Sequence, residues 1–227
     1  MRDERGRTSS RAMGYAQVMG AAALWATLGL FYTGFIDVYG VPPLGVAFYR
    51  ATLGFTLLLL ALMVARPHWL RIAARDLPLF ALFGLLGVAA FFITYVYAIH
   101  LTGMAVAVVL MYTAPAWVTV IAWRLFGEGL GRVKLAALGL AFGGCALVAR
   151  VADPSQIRLN LLGVLCGLGA GLTYGLYTVF NKIAVRRYSP WTVMLYALGF
   201  GALFLLPLQS AAVFRPLRQP MLIFWLL

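Results

Sequence analysis

Long apolar runs alternate with short polar interruptions along most of the chain. A helix needs about 20 apolar residues to cross about 30 Å of hydrocarbon, and seven runs approach or exceed that length. A transmembrane barrel would show segments of about ten residues with alternating polarity, which this sequence lacks. The pattern predicts an all-α polytopic membrane protein with seven complete transmembrane helices and the beginning of an eighth at Met221–Leu227. In chain order, the complete predicted spans are Tyr15–Ile36, Pro43–Ala65, Leu77–Ile99, Gly103–Trp123, Val133–Ala149, Leu161–Ile183 and Trp191–Val213.

Capping residues mark the start of several predicted helices. Asp76 and Ser189 stand where an N-cap belongs, and a proline follows each of them within the first turn of the next helix. Thr102 and Asn160 are further predicted caps. These positions are where backbone groups leave the bilayer and need hydrogen-bond partners.

Composition identifies lipid as the solvent for most of this apolar surface. Hydrophobic residues make up 63% of the 227 residues and charged residues only 11%, and the mean hydropathy is +0.93. A soluble domain carries about 25% charged residues, and a water-soluble core of this size does not bury so much apolar surface. The lipid bilayer is therefore the first predicted partner of the chain.

The distribution of the +12 net charge predicts the orientation in the membrane. The N-terminal segment and every second loop hold 13 Lys and Arg residues, whereas the remaining loops hold 4. By the positive-inside rule, the N-terminus and the basic loops face the cytoplasm of a cell (inner) membrane. The basic residues rim separate loops and form no continuous patch, which argues against nucleic-acid binding.

The first 14 residues are polar and basic, and they predict a disordered cytosolic tail. A cleaved signal peptide is the alternative for this tail and the first span. That span is too long for a typical signal core and six more follow it, so we expect it to be retained.

A weak internal duplication relates the two ends of the chain. An offset of about 148 residues brings Trp25 opposite Tyr174 and Phe31 opposite Phe180. Five predicted spans separate the two starts, so the second copy enters the membrane from the opposite side. Inverted repeats of this kind are typical of secondary transporters that work by alternating access.

The order of several short motifs resembles the EamA domain of the drug/metabolite transporter superfamily. The run from Ala98 to Ala107 is followed by Pro115, Glu128 and a glycine-rich stretch from Gly139 to Gly144. Phe48-Tyr49-Arg50 and the Trp-Ala pair in the first span are also similar, whereas His100 stands where the family more often has Lys or Arg. The resemblance covers residues 14–144 and 161–206.

The resemblance implies a ten-helix transporter of two five-helix repeats in inverted orientation. On this basis residues 1–14 are the tail, residues 15–150 the first repeat, and residues 151–227 an incomplete second repeat. The chain is then expected to be C-terminally truncated, since one more repeat length extends to about residue 300. A protein that naturally has seven helices is the alternative.

Arg50 is the formal charge that lies well inside a predicted span. A charge in the hydrocarbon is costly, so the side chain must face a partner, the bundle interior or water. Snorkelling to the interface or structural pairing is one interpretation, and contact with an anionic substrate group is the other.

Several aromatic and polar residues are candidates for the substrate pathway. Pro115 should kink the fourth span and free the carbonyl near Met111, next to Tyr112 and Thr113. Deep aromatic residues form either walls of a central cavity or ordinary packing; they are Trp25, Tyr95 and Tyr174.

The sixth span has two contrasting faces. Glycines recur every four residues on one face, which predicts close helix packing. They are Gly163, Gly167, Gly171 and Gly175. Thr173, Tyr177 and Asn181 form a second stripe displaced by about 200°, which we expect to look into the bundle for substrate contact or interhelical hydrogen bonds.

Three further residues are predicted to be structural. Glu128 is flanked by arginines at i−4 and i+4, which favours a salt bridge that fixes the hairpin between the fourth and fifth spans, with proton coupling as the alternative. Gly139 and Gly143 belong to the glycine-rich fifth span.

The sequence contains no recognisable catalytic or metal constellation, and no cofactor is expected. His68 and His100 face opposite sides in the predicted topology, and no phosphate-binding GxxxxGK[ST] loop is present. The favoured function is the one that the resemblance implies, a secondary transporter that exports small organic metabolites such as amino acids, and we expect a proton or substrate gradient to drive it. An integral membrane enzyme or a non-transporting scaffold is the alternative. The sequence does not determine the oligomeric state.

Overall fold

The computed structural model describes residues 41–127 and 160–210, residue 213 and short pieces within 13–23 and 131–147. In these ranges the protein is helical and has no strand. Five helices are long and apolar enough to cross a membrane. They are α1 (Pro43–Ala65), α2 (Ala74–Thr102), α3 (Met104–Leu125), α4 (Leu161–Ala184) and α5 (Pro190–Leu208).

These helices coincide with the second, third, fourth, sixth and seventh predicted spans. The start of the eighth lies outside the described residues, and of the first and fifth spans only short helical pieces are described. The polytopic helical class is therefore confirmed, and the count of seven spans plus a partial eighth stays a prediction.

Two of the predicted caps start helices as expected. The Asn160 side-chain oxygen accepts hydrogen bonds from the Leu162 N–H at 2.9 Å and the Gly163 N–H at 3.5 Å. The Ser189 hydroxyl accepts one from the Thr192 N–H at 3.2 Å. Each bond satisfies a backbone donor that the first turn of a helix leaves free.

Of the other two predicted caps, Asp76 stands at the N-cap position of Leu77–Leu82 without capping through its side chain, and Thr102 is wrong. Asp76 makes no capping hydrogen bond, because its carboxylate is engaged by side chains that follow α4. Thr102 belongs to the last turn of α2 and donates to the Ala98 carbonyl at 2.8 Å. Gly103, with φ of 84°, joins α2 to α3 instead; a positive φ of this kind costs a glycine little.

Two of the membrane helices are internally irregular. In α2, a π-helical segment at Phe83–Ala89 separates the α-helical segments Leu77–Leu82 and Ala90–Thr102. In α3, a turn at residues 112–113 separates Met104–Met111 from Ala114–Phe126. Pro115 lies in the first turn after this break, where its missing N–H leaves no bond unmade.

The helices pack in an interleaved order. α4 lies between α2 and α3, and α5 lies between α1 and α2. Thus the two helices assigned to the second predicted repeat sit among three helices assigned to the first.

The glycine face of α4 packs against α3. A Cβ atom at Gly171 would lie 2.2 Å from the Thr113 hydroxyl and 2.9 Å from the Leu110 carbonyl oxygen. One at Gly167 would lie 2.5 Å from the Leu110 side chain. The backbone break in α3 therefore sits directly on this smooth face, and only small residues permit that approach.

The segments at one end of the bundle are joined by hydrogen bonds. The Thr192 hydroxyl donates to the Trp69 carbonyl at 2.7 Å, and the Tyr196 hydroxyl donates to the Leu70 carbonyl at 2.8 Å. The loop before α2 and the start of α5 therefore share one end of the bundle. Both lie on the side that the charge pattern predicts to be cytoplasmic.

Candidate functional site

A row of aromatic rings lines the contact between α2 and α4. We call it the aromatic wall and define it as Phe83, Phe91, Tyr95, Tyr174 and Tyr177. Phe91 and Tyr95 are four residues apart on α2, and Tyr174 and Tyr177 are three apart on α4, so each pair shares a helix face. Residues from two separate helices thus form one surface.

The rings of the wall touch in sequence from one helix to the other. Tyr95 stacks on Phe91, with centroids 5.6 Å apart and an interplanar angle of 10°. Phe91 lies 5.4 Å from Tyr174, and Tyr174 lies 6.3 Å from Tyr177. Tyr177 meets Phe83 edge-on at 4.9 Å. These distances are within the range of favourable aromatic pairing.

The wall is amphipathic. Its three tyrosines are half-buried. Tyr95 points its hydroxyl at the Met104 sulfur, 3.9 Å away. The hydroxyls of Tyr174 and Tyr177 donate no hydrogen bond to any residue in the described part of the chain. A tyrosine presents an apolar ring together with a polar tip, so this surface suits a solute that has both kinds of group.

Arg50 of α1 stands next to this wall. Its guanidinium carbon lies 6.0 Å from the centroid of the Phe92 ring. Phe92 is itself 5.4 Å from Phe91 of the wall. Arg50 thereby places a fixed positive charge beside an aromatic surface.

No carboxylate in the described ranges pairs with Arg50. Asp76 is the one acidic residue in the described ranges, and it pairs with Arg187 at the end of the bundle. In the five membrane helices, every other charged side chain lies within three residues of a helix end. Arg50 is therefore the one charged residue in the described membrane helices that lies more than three positions from a helix end.

The structure brings four of the predicted pathway residues together, namely Arg50, Tyr95, Tyr174 and Tyr177. Tyr112 lies exposed in the turn of α3.

Other predicted pathway residues lie away from the wall or make bonds within their own helix. The Thr113 hydroxyl donates to the Leu110 carbonyl at 2.7 Å, and the Thr173 hydroxyl donates to the Gly169 carbonyl at 2.9 Å. Pro115 is exposed on α3, and Asn181 is half-buried near the end of α4. The Met111 carbonyl, expected to be freed by Pro115, faces Gly171 of α4.

Several predicted residues yield no test of their roles. Trp25 and Glu128 lie outside the described residues. Gly139 and Gly143 belong to short helical pieces, and no described atom lies within 4 Å of a Cβ built on either. Gly163 and Gly175 complete the glycine face of α4 and approach Leu101 and Trp117, respectively.

Sequence reasoning missed the phenylalanines of the site. Phe91 and Tyr95 recur at i and i+4 in the third predicted span, a pattern that marks one helix face. The same spacing is common in any apolar helix, so it becomes informative only when Tyr174 is found opposite. In the parts of the chain that the structure describes, no three His, Cys, Asp or Glu residues are grouped to hold a metal.

Comparison with known proteins assigns the chain to a family. A family model described as the EamA-like transporter family matches residues 12–150 and 161–227. A relative from Archaeoglobus fulgidus, named an uncharacterized transporter, is 32% identical over 196 residues, which are 86% of this chain and 65% of the relative. The chain therefore spans slightly less than two thirds of that protein's length.

A second relative agrees with this family, and a solved structure agrees with the fold. A protein of Streptantibioticus cattleyicolor, named a probable terminal-alkyne amino-acid exporter, is 30% identical over 78% of this chain and 58% of its own length. A crystal structure with 20% identity aligns at a TM-score of 0.63 over 83% of this chain and 65% of that one, which supports the fold. The chain is a multi-pass membrane protein, and it belongs to the EamA-like transporter family.

Proposed function

We propose that the protein is a secondary transporter that exports small organic metabolites, such as amino acids or related compounds, across the cytoplasmic membrane. Membership of a transporter family and a relative named an amino-acid exporter support the substrate class. The observation that carries the proposal is the aromatic wall with Arg50 beside it, because that surface offers both apolar rings and a positive charge.

The depth of the wall fits a transport site. Phe91 is 11 residues from Thr102 at one end of α2, and Tyr174 is 13 residues from Leu161 at the same end of α4. At 1.5 Å per residue these are roughly 17 and 20 Å. The hydrocarbon core is about 30 Å thick, so the two rings lie near its middle. Inverted-repeat transporters hold their substrates at this depth.

The wall is built from both predicted repeats. α2 belongs to the first and α4 to the second, so relative rocking of the repeats would change which end of the wall meets water. This is the geometry that alternating access requires, with the cycle driven by a proton or substrate gradient. In this scheme the N-terminus faces the cytoplasm.

Arg50 indicates which group of the solute binds at this end of the wall. A planar guanidinium binds a carboxylate through two parallel hydrogen bonds, with more geometric selectivity than a lysine ammonium. A carboxylate at Arg50 would lay the rest of the solute along Phe92 and the wall. Amino acids and related carboxylates have this form.

The test is export by the product of the whole gene, reconstituted in lipid vesicles and supplied with labelled amino acids. We expect counterflow of at least one of them, and we expect Phe91→Ala to reduce its rate by about ten-fold or more, as loss of roughly 1.4 kcal/mol of binding would do. Tyr97→Ala is the matched control, because Tyr97 lies on the same helix and is 55% exposed.

Two results would contradict this proposal. One is the absence of flux for every amino acid and related carboxylate from protein that keeps its helical content and melting temperature. The other is an equal loss of flux in Phe91→Ala and Tyr97→Ala, which would show that the wall has no special part in transport.

A further inference from the structure

A polar cluster outside the aromatic wall joins the two predicted repeats at one end of the bundle. Asp76, at the start of α2, is only 7% exposed. One of its carboxylate oxygens accepts a hydrogen bond from the Arg187 guanidinium at 3.0 Å, and the other accepts one from the Tyr188 hydroxyl at 2.7 Å. Arg187 and Tyr188 lie in the loop between α4 and α5.

Two further contacts reinforce the cluster. The Tyr188 hydroxyl, which donates to Asp76, also accepts a hydrogen bond from the Ala73 N–H at 3.1 Å. The Tyr188 ring meets Phe80 of α2 edge-on at 5.5 Å. Together with the bonds from Thr192 to Trp69 and from Tyr196 to Leu70, these contacts close this end of the bundle.

We propose that Asp76, Arg187 and Tyr188 form a latch that holds this end of the transport pathway closed and must open once in each cycle. The proposal rests on the proposed function, because a latch of this kind has a role only where the two repeats move against each other. We expect the latch to lie on the cytoplasmic side.

The chemistry of the cluster suits a contact that opens and closes. The Arg187 side chain is 64% exposed, so water can take over its hydrogen bonds when the pair separates. Arg187 and Tyr188 share the Asp76 carboxylate, so removal of the Arg187 guanidinium weakens the closed state while the Tyr188 ring stays packed on Phe80. Helix packing deeper in the membrane has no such exchange with water.

The latch is the part of a longer barrier that lies nearest to the end of the bundle. Phe80 contacts Tyr188 of the latch and belongs to a buried cluster with Phe83 and Ala184. Phe83 in turn contacts Tyr177 of the aromatic wall. Ala184, at 1% exposure, therefore lies between the latch and the wall, where access from water reports on the closed state.

The hinge for this motion is the crossing of α2 and α5. A Cβ atom at Gly84 would lie 2.3 Å from the Phe200 Cβ and 2.7 Å from the Gly201 nitrogen. The two backbones touch there, eight residues beyond Asp76. Opening of the latch as a tilt about this contact leaves the crossing intact and separates only the ends.

The experiment measures maleimide labelling of Ala184→Cys in the full protein, with Cys145 and Cys166 replaced by alanine. The reagent is added to vesicles on the side that carries residues 66–76. We expect Asp76→Asn and Arg187→Gln each to raise the labelling rate by about ten-fold, within the usual range of coupling between sites. Arg71→Gln is the matched control, because it removes one exposed arginine from the same end and leaves Asp76 paired.

Two further measurements separate the latch from a general loss of stability. The exchanged pair Asp76→Arg with Arg187→Asp should return the labelling rate toward that of the unexchanged protein. High salt should speed labelling of the protein with an intact latch and leave Asp76→Asn unchanged, because salt reaches the 64% exposed Arg187 side chain and weakens its attraction to Asp76. If Asp76→Asn is unstable, the effect of salt on the protein with an intact latch still tests the proposal by itself.

Several outcomes would overturn the latch. Equal labelling of Ala184→Cys in all variants, with unchanged melting temperatures, means that the pair does not control access. A labelling rate that does not change with salt in the protein with an intact latch also means that the pair does not control access. A protein that exports its substrate while showing either result contradicts the latch alone, whereas changed labelling without any flux contradicts the proposed function.

Discussion

Gly84 and Gly201 determine how closely α2 and α5 approach. The α2 side of the contact is the π-helical segment Phe83–Ala89, and Val88 of that segment would lie 2.4 Å from a Cβ built on Gly201. Without hydrophobic attraction between helices in lipid, contact of this kind is a main source of association. Gly84 and Gly201 therefore control whether α2 and α5 come close enough for the aromatic wall and the latch to assemble.

We predict that Gly84→Ala destabilises the protein, because the added methyl group meets Phe200 and the backbone of Gly201. Overpacking of this kind costs about 1–3 kcal/mol. Thermal unfolding in detergent measures the effect. Gly169→Ala is the control, since its nearest described neighbour, Thr94, would be 3.5 Å away in ordinary contact. Equal melting temperatures for the two variants would contradict the close crossing.

Two of the membrane helices have a capping side chain immediately before their first turn. Asn160 and Ser189 satisfy backbone donors of α4 and α5, and both helices belong to the predicted second repeat. α3 is divided by its turn at residues 112–113, which lies against the glycine face of α4. Glycines of α4 therefore meet α3, while Tyr174 and Tyr177 of α4 meet Phe91 and Phe83 of α2.

At the element scale, we predict that Asn160→Ala lowers the stability of α4. Loss of an N-cap costs about 0.5–2 kcal/mol, because the first-turn N–H groups lose their partner. Asn160→Asp should retain stability, as its carboxylate accepts the same bonds and favours the positive end of the helix dipole. Hydrogen exchange in the first turn of α4 distinguishes the variants, and equal exchange in Ala and Asp forms would rule out the cap.

The whole molecule interleaves helices of the two predicted repeats. α4 packs between α2 and α3, and α5 packs between α1 and α2. The loop before α2 and the loop before α5 consequently meet at one end, while His100 marks the far end of α2. The orientation of this bundle in the membrane stays a prediction from the arginine distribution.

For the molecule as a whole, we predict that His68→Cys and Val185→Cys react with an impermeant maleimide from the cytoplasmic side. His100→Cys should react from the opposite side, because α2 is long enough to cross the bilayer between them. Each is made in a chain whose two cysteines are replaced by alanine. Reaction of His68→Cys and Val185→Cys from opposite sides would contradict the packing, and reaction of His100→Cys from the cytoplasm would contradict the orientation.

Much of the candidate site could be named from the sequence, although its partners could not. Charged and hydroxyl-bearing side chains are unusual deep in apolar runs, and four such residues stand out, namely Arg50, Tyr95, Tyr174 and Tyr177. Phe91 does not stand out, since phenylalanine is ordinary in such runs. Asp76 was predicted as a cap, and its bonds to residues 111 and 112 positions away reflect a contact that no local pattern encodes.

The sequence by itself determined the helical membrane class, the five described spans, two helix caps and the family. These features follow from local rules, because lipid requires each spanning segment to satisfy its own backbone. Only the tertiary structure decided which helices are neighbours, where the aromatic wall forms and which residues engage Asp76. In lipid all outward faces are apolar, so hydrophobic periodicity does not identify the partner of a helix, and close packing at a few glycines does.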